Sequence, residues 1–385
     1  MEPSAQHTDD ARDQAFDPFP WYEQMRRDAP AWVDHTSGVL SVFRYDDVQR
    51  ALSDYEAFSS DRSPRDASSA LNASLISSDP PRHRQLRNLV TQAFTPRAIA
   101  QLAPRITAII DGLLDPVAAA GRMDFVADLA DPLPVIVIAE MLGIPISERV
   151  QFKRWSDAIV ATTDGGLTFM EAQREMARYF SGLIAERAAE PRDDLISHLI
   201  TAEIDGERLT PDELASFFIL LVVAGNETTR NAISWGLHLL TEHPEQRQIW
   251  LADLDGVTPT AVEEIVRWAS PVIFMRRTLA VDTVLGGQAM RAGDKVAMFY
   301  WAANRDPAHF TAPDAFDVRR TPNHHVGFGG PGPHFCLGAH LARREMTVMF
   351  RELLTRAPEV HATAAPRRLQ SMFINGIKEL PVALY

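Results

Sequence analysis

The sequence predicts a mainly α-helical protein with a minor β region. Its long regular segments carry apolar residues at helical spacing, whereas the runs of alternating polarity are short and few. No internal repeat, low-complexity tract or linker divides the chain. We therefore expect one domain over residues 16–385, preceded by a disordered tail over residues 1–15.

The first half of the chain is predicted to combine short elements with longer helices. Ala31–Phe43 alternates in polarity and turns at Ser37-Gly38, which is typical of a small hairpin. Ser59–Ser78 is polar without a clear period, which predicts a long loop, and long loops in compact domains are often functional. The helices expected here are Trp21–Asp28, Asp46–Ser53, Asp79 to about Ala93, Pro96–Ala120, Leu133–Leu142, Ser147–Ala161 and Phe169–Ala189, with a connector at Thr162–Thr168.

A helix of about 33 residues is predicted from Thr210 to about His243. Thr210-Pro-Asp-Glu213 is a capping box with proline at the first helical position, and Pro244 follows the far end. The segment Leu214–Val223 is apolar almost all round. We therefore expect this half of the helix to be buried.

The middle of this long helix is polar. Ala224-Gly225-Asn226-Glu227-Thr228-Thr229 brings a glycine, a carboxylate and two hydroxyls into a helix that should be buried. Each of these groups is costly there unless it has a partner or a function. The Thr228 hydroxyl could bond the Ala224 carbonyl and widen the helix locally. A polar kink without chemistry is the alternative.

The last third of the chain is predicted to hold short strands and one more long helix. Strand-like runs at Arg277–Leu285 and Lys295–Tyr300 surround the turn Gly286-Gly287, and a last strand is expected at Glu379–Leu384. Helical spacing returns after Leu337.

The chain has one cysteine, Cys336, which follows a loop rich in glycine and proline. Gly329-Gly-Pro-Gly-Pro333 cannot continue a helix or a central strand, so Cys336 should lie at the start of the next helix. Free N–H groups and the helix dipole there favour a thiolate. A thiolate is a strong ligand for haem iron and favours O–O cleavage. The alternative is a buried structural cysteine.

Composition excludes several classes of function. The net charge of −13 argues against a nucleic-acid partner. One cysteine excludes a disulfide framework, an iron–sulfur cluster, a cysteine zinc site and covalent haem attachment. The first twenty residues resemble no signal peptide, and the apolar runs Leu133–Ala139 and Phe217–Gly225 are too short to span a bilayer. We expect a cytoplasmic protein without a membrane anchor.

Four motifs together carry a family resemblance. The order Phe328-Gly-Gly-Pro-Gly332-Pro-His334-Phe-Cys336-Leu-Gly338 resembles the haem-binding loop of cytochromes P-450, and Ala224–Thr229 resembles their oxygen-activating segment. His83-x-x-x-Arg87 and Glu264-x-x-Arg267 match two further family motifs, although alone they would indicate a solvated basic face and a surface ion pair. The resemblance extends from about Phe16 to Tyr385.

The cysteine loop departs from the commonest bacterial pattern. Phe328 lies eight residues before Cys336, whereas the common form has seven. The longer loop resembles a bacterial subgroup that oxidises sterols and methyl-branched lipids.

The resemblance implies a triangular helical prism that encloses haem b between the long helix and the Cys336 loop. It makes Cys336 the iron ligand, with Thr228 at the reacting oxygen and Glu227 supplying protons. The residues implied to contact the haem are His83, Arg87, Ala224, Arg277 (with Arg276 as its rival), Phe328, His334, Cys336 and Gly338. Those expected to line the substrate pocket are Leu220, Val223, Val272, Ile273, Phe274, Met372 and Phe373. Glu264, Arg267 and Arg320 would form a structural triad that braces the core.

The function implied by the resemblance is an oxygen-dependent haem-thiolate monooxygenase. It would insert one oxygen atom into a C–H or C=C bond of a hydrophobic molecule such as a steroid, terpenoid, branched lipid or polyketide. Electrons would come from a separate ferredoxin and its reductase, with Arg343 and Arg344 as candidates for docking the acidic partner. The family default is a monomer.

The sequence disfavours three other functions. A peroxide-driven peroxygenase on the same fold usually lacks the acid–threonine pair that this chain has. A non-catalytic haem-binding homologue would be favoured by loss of Cys336 or Thr228, and both are present. A cysteine hydrolase is disfavoured because no known nucleophile context surrounds Cys336.

Overall fold

The computed structural model describes residues 18–61, 75–160, 168–204 and 206–385. Within these ranges the mainly helical prediction with a minor β region is confirmed. The predicted tail at residues 1–15, the middle of the predicted loop at residues 62–74 and the connector at residues 161–167 lie outside the described residues. No helix in the described ranges is both long and apolar enough to cross a membrane.

The helices and strands are numbered in chain order. The helices are α1 (Phe19–Asp28), α2 (Tyr45–Ser53), α3 (Arg82–Thr91), α4 (Pro96–Gln101), α5 (Ala103–Ala118), α6 (Pro132–Met141), α7 (Arg149–Val160), α8 (Phe169–Ala189), α9 (Leu195–Thr201), α10 (Pro211–Glu242), α11 (Pro244–Ala252), α12 (Leu254–Ala269), α13 (Tyr300–Ala303) and α14 (Ala339–Arg356). The strands are β1 (Ala31–Val33), β2 (Leu40–Val42), β3 (Phe58–Ser59), β4 (Arg122–Asp124), β5 (Glu203–Ile204), β6 (Glu207–Arg208), β7 (Phe274–Leu279), β8 (Thr283–Leu285), β9 (Gln288–Met290), β10 (Lys295–Phe299), β11 (His361–Ala362), β12 (Arg367–Arg368), β13 (Ile377–Glu379) and β14 (Pro381–Ala383).

Helix α10 is the central element of the fold. The predicted capping box is present, because the Thr210 hydroxyl accepts from the Glu213 N–H (3.2 Å) and the Glu213 carboxylate accepts from the Thr210 N–H (2.9 Å). The helix runs for 32 residues and packs against α6, α7, α8, α12 and α14. Its first half is buried, as the sequence predicted. Side chains in the middle of α10 are therefore held at a fixed place inside the protein.

One predicted helix is split in the structure. Pro96–Ala120 was expected to be continuous, but α4 ends at Gln101 and α5 begins at Ala103. Pro104 lies in the first turn of α5, where its missing N–H costs nothing; inside a continuous helix it would remove a hydrogen bond and clash with the preceding turn.

The main β region is a five-stranded sheet with the order β1-β2-β10-β7-β3. β1 and β2 form the predicted antiparallel hairpin, with Gly38 at a positive φ of 70° in its turn. β10 pairs parallel to β2 and antiparallel to β7. β10 therefore lies between the N-terminal hairpin and β7, which carries Arg276 and Arg277.

Candidate active site

A large cavity lies between α10 and the loop that precedes α14. It measures about 1360 Å³, part of which is open to solvent. Residues from both elements line it, among them Ala224, Thr228, Phe328 and Cys336.

Backbone contacts fix the loop that carries Cys336. The Cys336 N–H donates to the Phe328 carbonyl at 2.9 Å, and Gly329 has a φ of +83°. A Cβ atom at Gly332 would lie 2.4 Å from the Leu52 carbonyl oxygen, so the loop can pack this closely on α2 only because a glycine is there.

The protonation expected for Cys336 needs correction. Helix α14 begins at Ala339, three residues after the cysteine, so Cys336 is not a residue of the first helical turn. Desolvation raises the pKa of the thiol, although the Gly338 N–H and the charges of Arg87 and Arg343 act in the opposite direction. The protein alone therefore keeps the thiol mainly protonated at neutral pH. A coordinated metal ion would deprotonate it.

Two histidines and two arginines form a cluster suited to carboxylates. The His83 and His334 rings lie 4.2 Å apart at the cavity wall, and their buried Nε2 atoms have no hydrogen-bond partner among the described residues. Burial and neighbouring arginines lower the pKa of His83 to about 4 and that of His334 to about 3. Both rings are therefore neutral at pH 7, and each Nε2 is available to a ligand. Such a cluster fits the two carboxylates of haem b.

The strand pleat places the two candidate arginines on opposite faces of β7. In β7, Arg277 is buried and Arg276 is exposed, because successive side chains point to opposite faces. The charge of Arg277 acts on both His83 and His334, although Arg277 itself does not line the cavity. Arg87 does line it, and its Nη1 donates to the Pro333 carbonyl at 3.1 Å.

The middle of α10 presents Thr228 to the cavity but not Glu227. The Thr228 hydroxyl donates to the Ala224 carbonyl at 2.7 Å, as predicted, and the segment stays α-helical. Gly225 allows close packing, because a Cβ atom there would lie 3.0 Å from the Ile138 Cδ1 atom. Glu227 is fully buried and is not among the cavity-lining residues. A proton from Glu227 would therefore have to pass through Thr228 or water.

Sequence reasoning missed the partners of Glu227. The Glu227 carboxylate accepts a hydrogen bond from Arg230, whose Nη1 also donates to Asp131 at 3.0 Å. Asp131 in turn pairs with Lys153 of α7 at 3.1 Å. Arg230 lies three residues along the same helix, but Asp131 is 99 residues away, so no local pattern could have predicted this chain of alternating charges.

The prediction for the substrate pocket was partly wrong. Leu220 and Val272 line the cavity, whereas Val223, Ile273, Phe274, Met372 and Phe373 do not. In α10 the cavity-lining positions recur three to four residues apart and leave Val223 on a neighbouring face; they are Phe217, Leu220, Leu221, Ala224, Gly225, Thr228, Thr229 and Ala232.

The segment after α12 shows why consecutive apolar residues cannot all face one cavity. Ile273 is packed in a cluster with Phe43 and Phe299, and Phe274 packs on Phe299 and Phe373. Pro271, Val272 and Met275 face the cavity instead. The lining residues that sequence reasoning missed include Leu75, Ile76, Phe94, Phe217, Leu221, Met275 and Tyr300.

The structure also revises the role expected for Arg343. Its Nε donates to Glu263 Oε1 at 2.5 Å, its Nη2 donates to Glu263 Oε2 at 2.8 Å, and its guanidinium lies 4.4 Å over the Phe328 ring. Because its charge is paired inside the protein, Arg343 is a poorer candidate for docking a partner than the sequence suggested. Arg344 stays a candidate.

The structural triad is brought together as expected. Arg267 donates to Glu264 through Nε (2.7 Å) and Nη2 (2.8 Å), and Arg320 Nε donates to the same carboxylate at 3.0 Å. Asn323 adds a further hydrogen bond to Glu264 at 3.1 Å, which the sequence did not predict.

The chain resembles known proteins over most of its length. Residues 141–259 and 251–358 match the family model described as Cytochrome P450. The chain is 45% identical to a methyl-branched lipid omega-hydroxylase of Mycobacterium tuberculosis, over 97% of this chain and 91% of that protein. It is 38% identical to a steroid C26-monooxygenase of Rhodococcus jostii, over 95% of this chain and 81% of that protein. The crystal structure of CYP109E1 from Bacillus megaterium with testosterone superposes with a TM-score of 0.90, at 40% identity, and covers 96% of this chain and 98% of that one.

Proposed function

The chain belongs to the cytochrome P450 family and is a haem b monooxygenase, and on that premise we propose that it oxidises a methyl-branched lipid or a steroid. The observation that carries this proposal is the apolar wall of the cavity beyond the polar cluster. That wall is built from Leu75, Ile76, Phe217, Leu220, Leu221, Val272 and Met275. The names of the relatives support the same two substrate classes.

The cofactor site is assigned to residues whose chemistry fits it. Cys336 would bind the iron, Arg87 and Arg277 would neutralise the two propionates, and the neutral rings of His83 and His334 would bind them. Haem b with a thiolate ligand supplies oxygen activation and O–O cleavage.

Residues of the chain would position the substrate and move protons. The apolar wall excludes water and orients the substrate by shape, because it offers few polar partners. The Thr228 hydroxyl lies at the cavity wall and donates its single proton to the Ala224 carbonyl, so it would have to turn away from that carbonyl to donate towards the centre of the cavity. Glu227 would replace that proton from behind Thr228 through a short relay. The presence of this pair disfavours the peroxide-driven alternative.

The substrate proposal is tested with purified, haem-loaded protein. The reduced protein with carbon monoxide should show the red-shifted Soret band of thiolate ligation, and Cys336→Ser should abolish it. A methyl-branched fatty acid and a steroid with an aliphatic side chain should each perturb the Soret band more strongly than a straight-chain acid of equal length. Oxygenated product should appear with a ferredoxin and its reductase, and only weakly with hydrogen peroxide alone.

A pair of variants locates the substrate. Val272→Asp puts a charge on the cavity wall and should weaken binding at least tenfold, since a buried unpaired charge is costly. Val281→Asp alters an exposed valine and should leave binding unchanged. Equal affinity of wild type and Val272→Asp would contradict the proposed site, and preference for a straight-chain acid would contradict the substrate class.

A ferredoxin is proposed as the electron donor. Arg344 of α14 and the exposed Phe335 lie on either side of Cys336 in the chain and offer a cationic and an apolar contact for an acidic partner. Arg344→Glu should slow reduction by ferredoxin at low salt, with a smaller effect at high salt. Equal rates at low salt would rule out this contact. Reduction by dithionite, which needs no docking, is the control.

A further inference from the structure

We propose that Glu263 is a positioning residue that acts through Arg343 to set the positive field at Cys336, and so the reduction potential of the haem. The inference rests on Cys336 as the iron ligand, as assigned above. Neither Glu263 nor Arg343 lines the cavity. Both therefore belong to the support of the cysteine loop and not to the substrate site.

Glu263 of α12 connects two parts of the chain that hold the cysteine loop. Its carboxylate accepts two hydrogen bonds from Arg343 of α14, at 2.5 and 2.8 Å. Its Oε2 also lies 3.1 Å from His325 Nε2, just before the loop. The Gly327 N–H donates to His325 Nδ1 at 3.1 Å, so the ring proton is on Nε2 and points at Glu263. The carboxylate is thus held by three hydrogen bonds from two residues.

Arg343 lies against the residue that anchors the cysteine backbone. Its guanidinium is 4.4 Å from the Phe328 ring centroid, and the Phe328 carbonyl accepts the Cys336 N–H at 2.9 Å. Arg343 therefore places a positive charge beside the residue whose carbonyl holds the Cys336 backbone.

Glu263 supplies the negative charge that pairs with Arg343. Burial alone would raise the pKa of Glu263, but the hydrogen bonds of Arg343 and His325 outweigh it and bring the pKa to about 2. Glu263 is therefore ionised whenever the protein is folded at ordinary pH. The Arg343 and Glu263 side chains are 31% and 26% exposed, so water screens the pair only in part.

The geometry determines the direction in which each variant should shift the reduction potential. One-electron reduction adds negative charge at the iron and its thiolate, so a more positive field favours the reduced state. Glu263→Gln leaves Arg343 uncompensated and should shift the potential to more positive values. Arg343→Gln removes the cation and should shift it to more negative values. Arg343→Lys keeps the charge, so it should stay closer to wild type than Arg343→Gln does.

The test is a spectroelectrochemical titration of the holoenzyme and these variants. The matched control is Glu140→Gln, which breaks the bidentate Arg105–Glu140 pair outside the cavity wall and should leave the potential unchanged. The double variant Glu263→Gln/Arg343→Gln measures the coupling of the two charges. If both single variants shift the potential in one direction, or neither shifts it, the pair is only a structural brace and the inference is wrong.

Two further readouts distinguish an error in the assignment of Cys336 from an error in the role proposed for Glu263. Absence of the thiolate-type band with carbon monoxide in the wild type would overturn the assignment of Cys336 as the iron ligand, and the inference about Glu263 with it. If Glu263→Gln alone loses that band, the Arg343→Lys and Arg343→Gln pair still decides the inference. Equal potentials for these two variants would overturn it.

Discussion

At the scale of single residues, Glu345 is the buried acid that the proposed function leaves unused. It lies on the cavity wall, is 1% exposed, and its Oε2 has no hydrogen-bond partner among the described residues. Burial raises its pKa to about 8. Six charged side chains on the helices that pack against α14 have partners other than Glu345; they are Glu263, Glu264, Arg267, Arg230, Asp111 and Asp115. Glu345 is therefore neutral in the folded protein at pH 7.

This predicts a pH dependence of stability. The folded state binds a proton at Glu345 up to about pH 8, whereas the unfolded chain releases it near pH 4. The contribution of protonated Glu345 to the free energy of unfolding is therefore fully present below about pH 4 and is lost as the pH rises to 8. Relative to Glu345→Gln, which stays neutral, the wild-type free energy of unfolding should fall by a few kcal/mol over this range.

Denaturant unfolding of wild type and Glu345→Gln at pH 5 and pH 8 measures the difference in their free energies of unfolding. Glu352→Gln changes a half-buried glutamate of the same helix that does not line the cavity, so it is the matched control. A constant difference between Glu345→Gln and wild type at both pH values would contradict a buried neutral acid.

Thr228 gives a prediction for catalysis. Thr228→Ala removes the hydroxyl that faces the cavity and keeps the helix, because alanine is a strong helix former. Proton delivery by a positioned group contributes about 10²–10⁴-fold, so product formed per electron consumed should fall at least tenfold. Thr228→Ser retains the hydroxyl and should keep most of the yield. Measuring product, peroxide and NADH consumption together checks this; an unchanged yield in Thr228→Ala would exclude the proposed role.

At this scale the sequence predicted residues that belong to local motifs. Cys336, His334 and Thr228 lie in short strings whose order carries the chemistry, so they could be placed on the cavity wall. The cavity-lining side chains between the motifs could not be placed in this way. Whether Val272 or Ile273 faces the cavity depends on the path of a turn, which only the folded chain defines.

At the scale of elements, residues that mark the ends of helices decided which predicted helix bounds were correct. The capping box at Thr210 and the following Pro244 fixed both ends of α10 within one residue. Pro104 marks a helix start as readily as a helix break, so the division of Pro96–Ala120 could not be placed from periodicity alone.

Asp131 joins three helices and gives the next prediction. It precedes α6, is 3% exposed, and pairs with Arg230 of α10 and Lys153 of α7. Asp131→Asn would leave the buried Arg230 with Glu227 as its remaining carboxylate, so the free energy of unfolding should drop by about 3 kcal/mol. Lys153→Gln removes the partner that is 43% exposed and should cost less than about 1 kcal/mol. If both variants lost the same free energy of unfolding, the buried charge of Arg230 would not need Asp131 as its partner.

At the scale of the whole molecule, the site exists because distant segments meet. Helix α3 supplies His83, α10 supplies Thr228, β7 supplies Arg277 and the loop before α14 supplies Cys336. The sequence predicted that these motifs act together only through the family resemblance. Their spacing in the chain contains no geometric information about the cavity that they form.

The Glu264 cluster holds these segments together and supports the last prediction. Glu264 and Arg267 are fully buried, and Arg267 also donates to the carbonyls of Asn304, Pro313 and Ala315. Arg320 adds hydrogen bonds to the Thr311 and Ala312 carbonyls. One carboxylate thus ties α12 to the chain segment that leads into the cysteine loop.

Glu264→Gln should therefore destabilise the whole fold. Two largely buried arginines would lose their common counter-charge, which costs about 3–5 kcal/mol, against a typical total stability of about 5–15 kcal/mol. We expect a lower denaturation midpoint together with a lower haem content per chain, because the cysteine loop loses its anchor. Glu379→Gln breaks the half-exposed pair with Arg367 and should change both quantities little. If Glu264→Gln kept full haem content at a wild-type midpoint, the buried charge would not be what holds the cysteine loop in place.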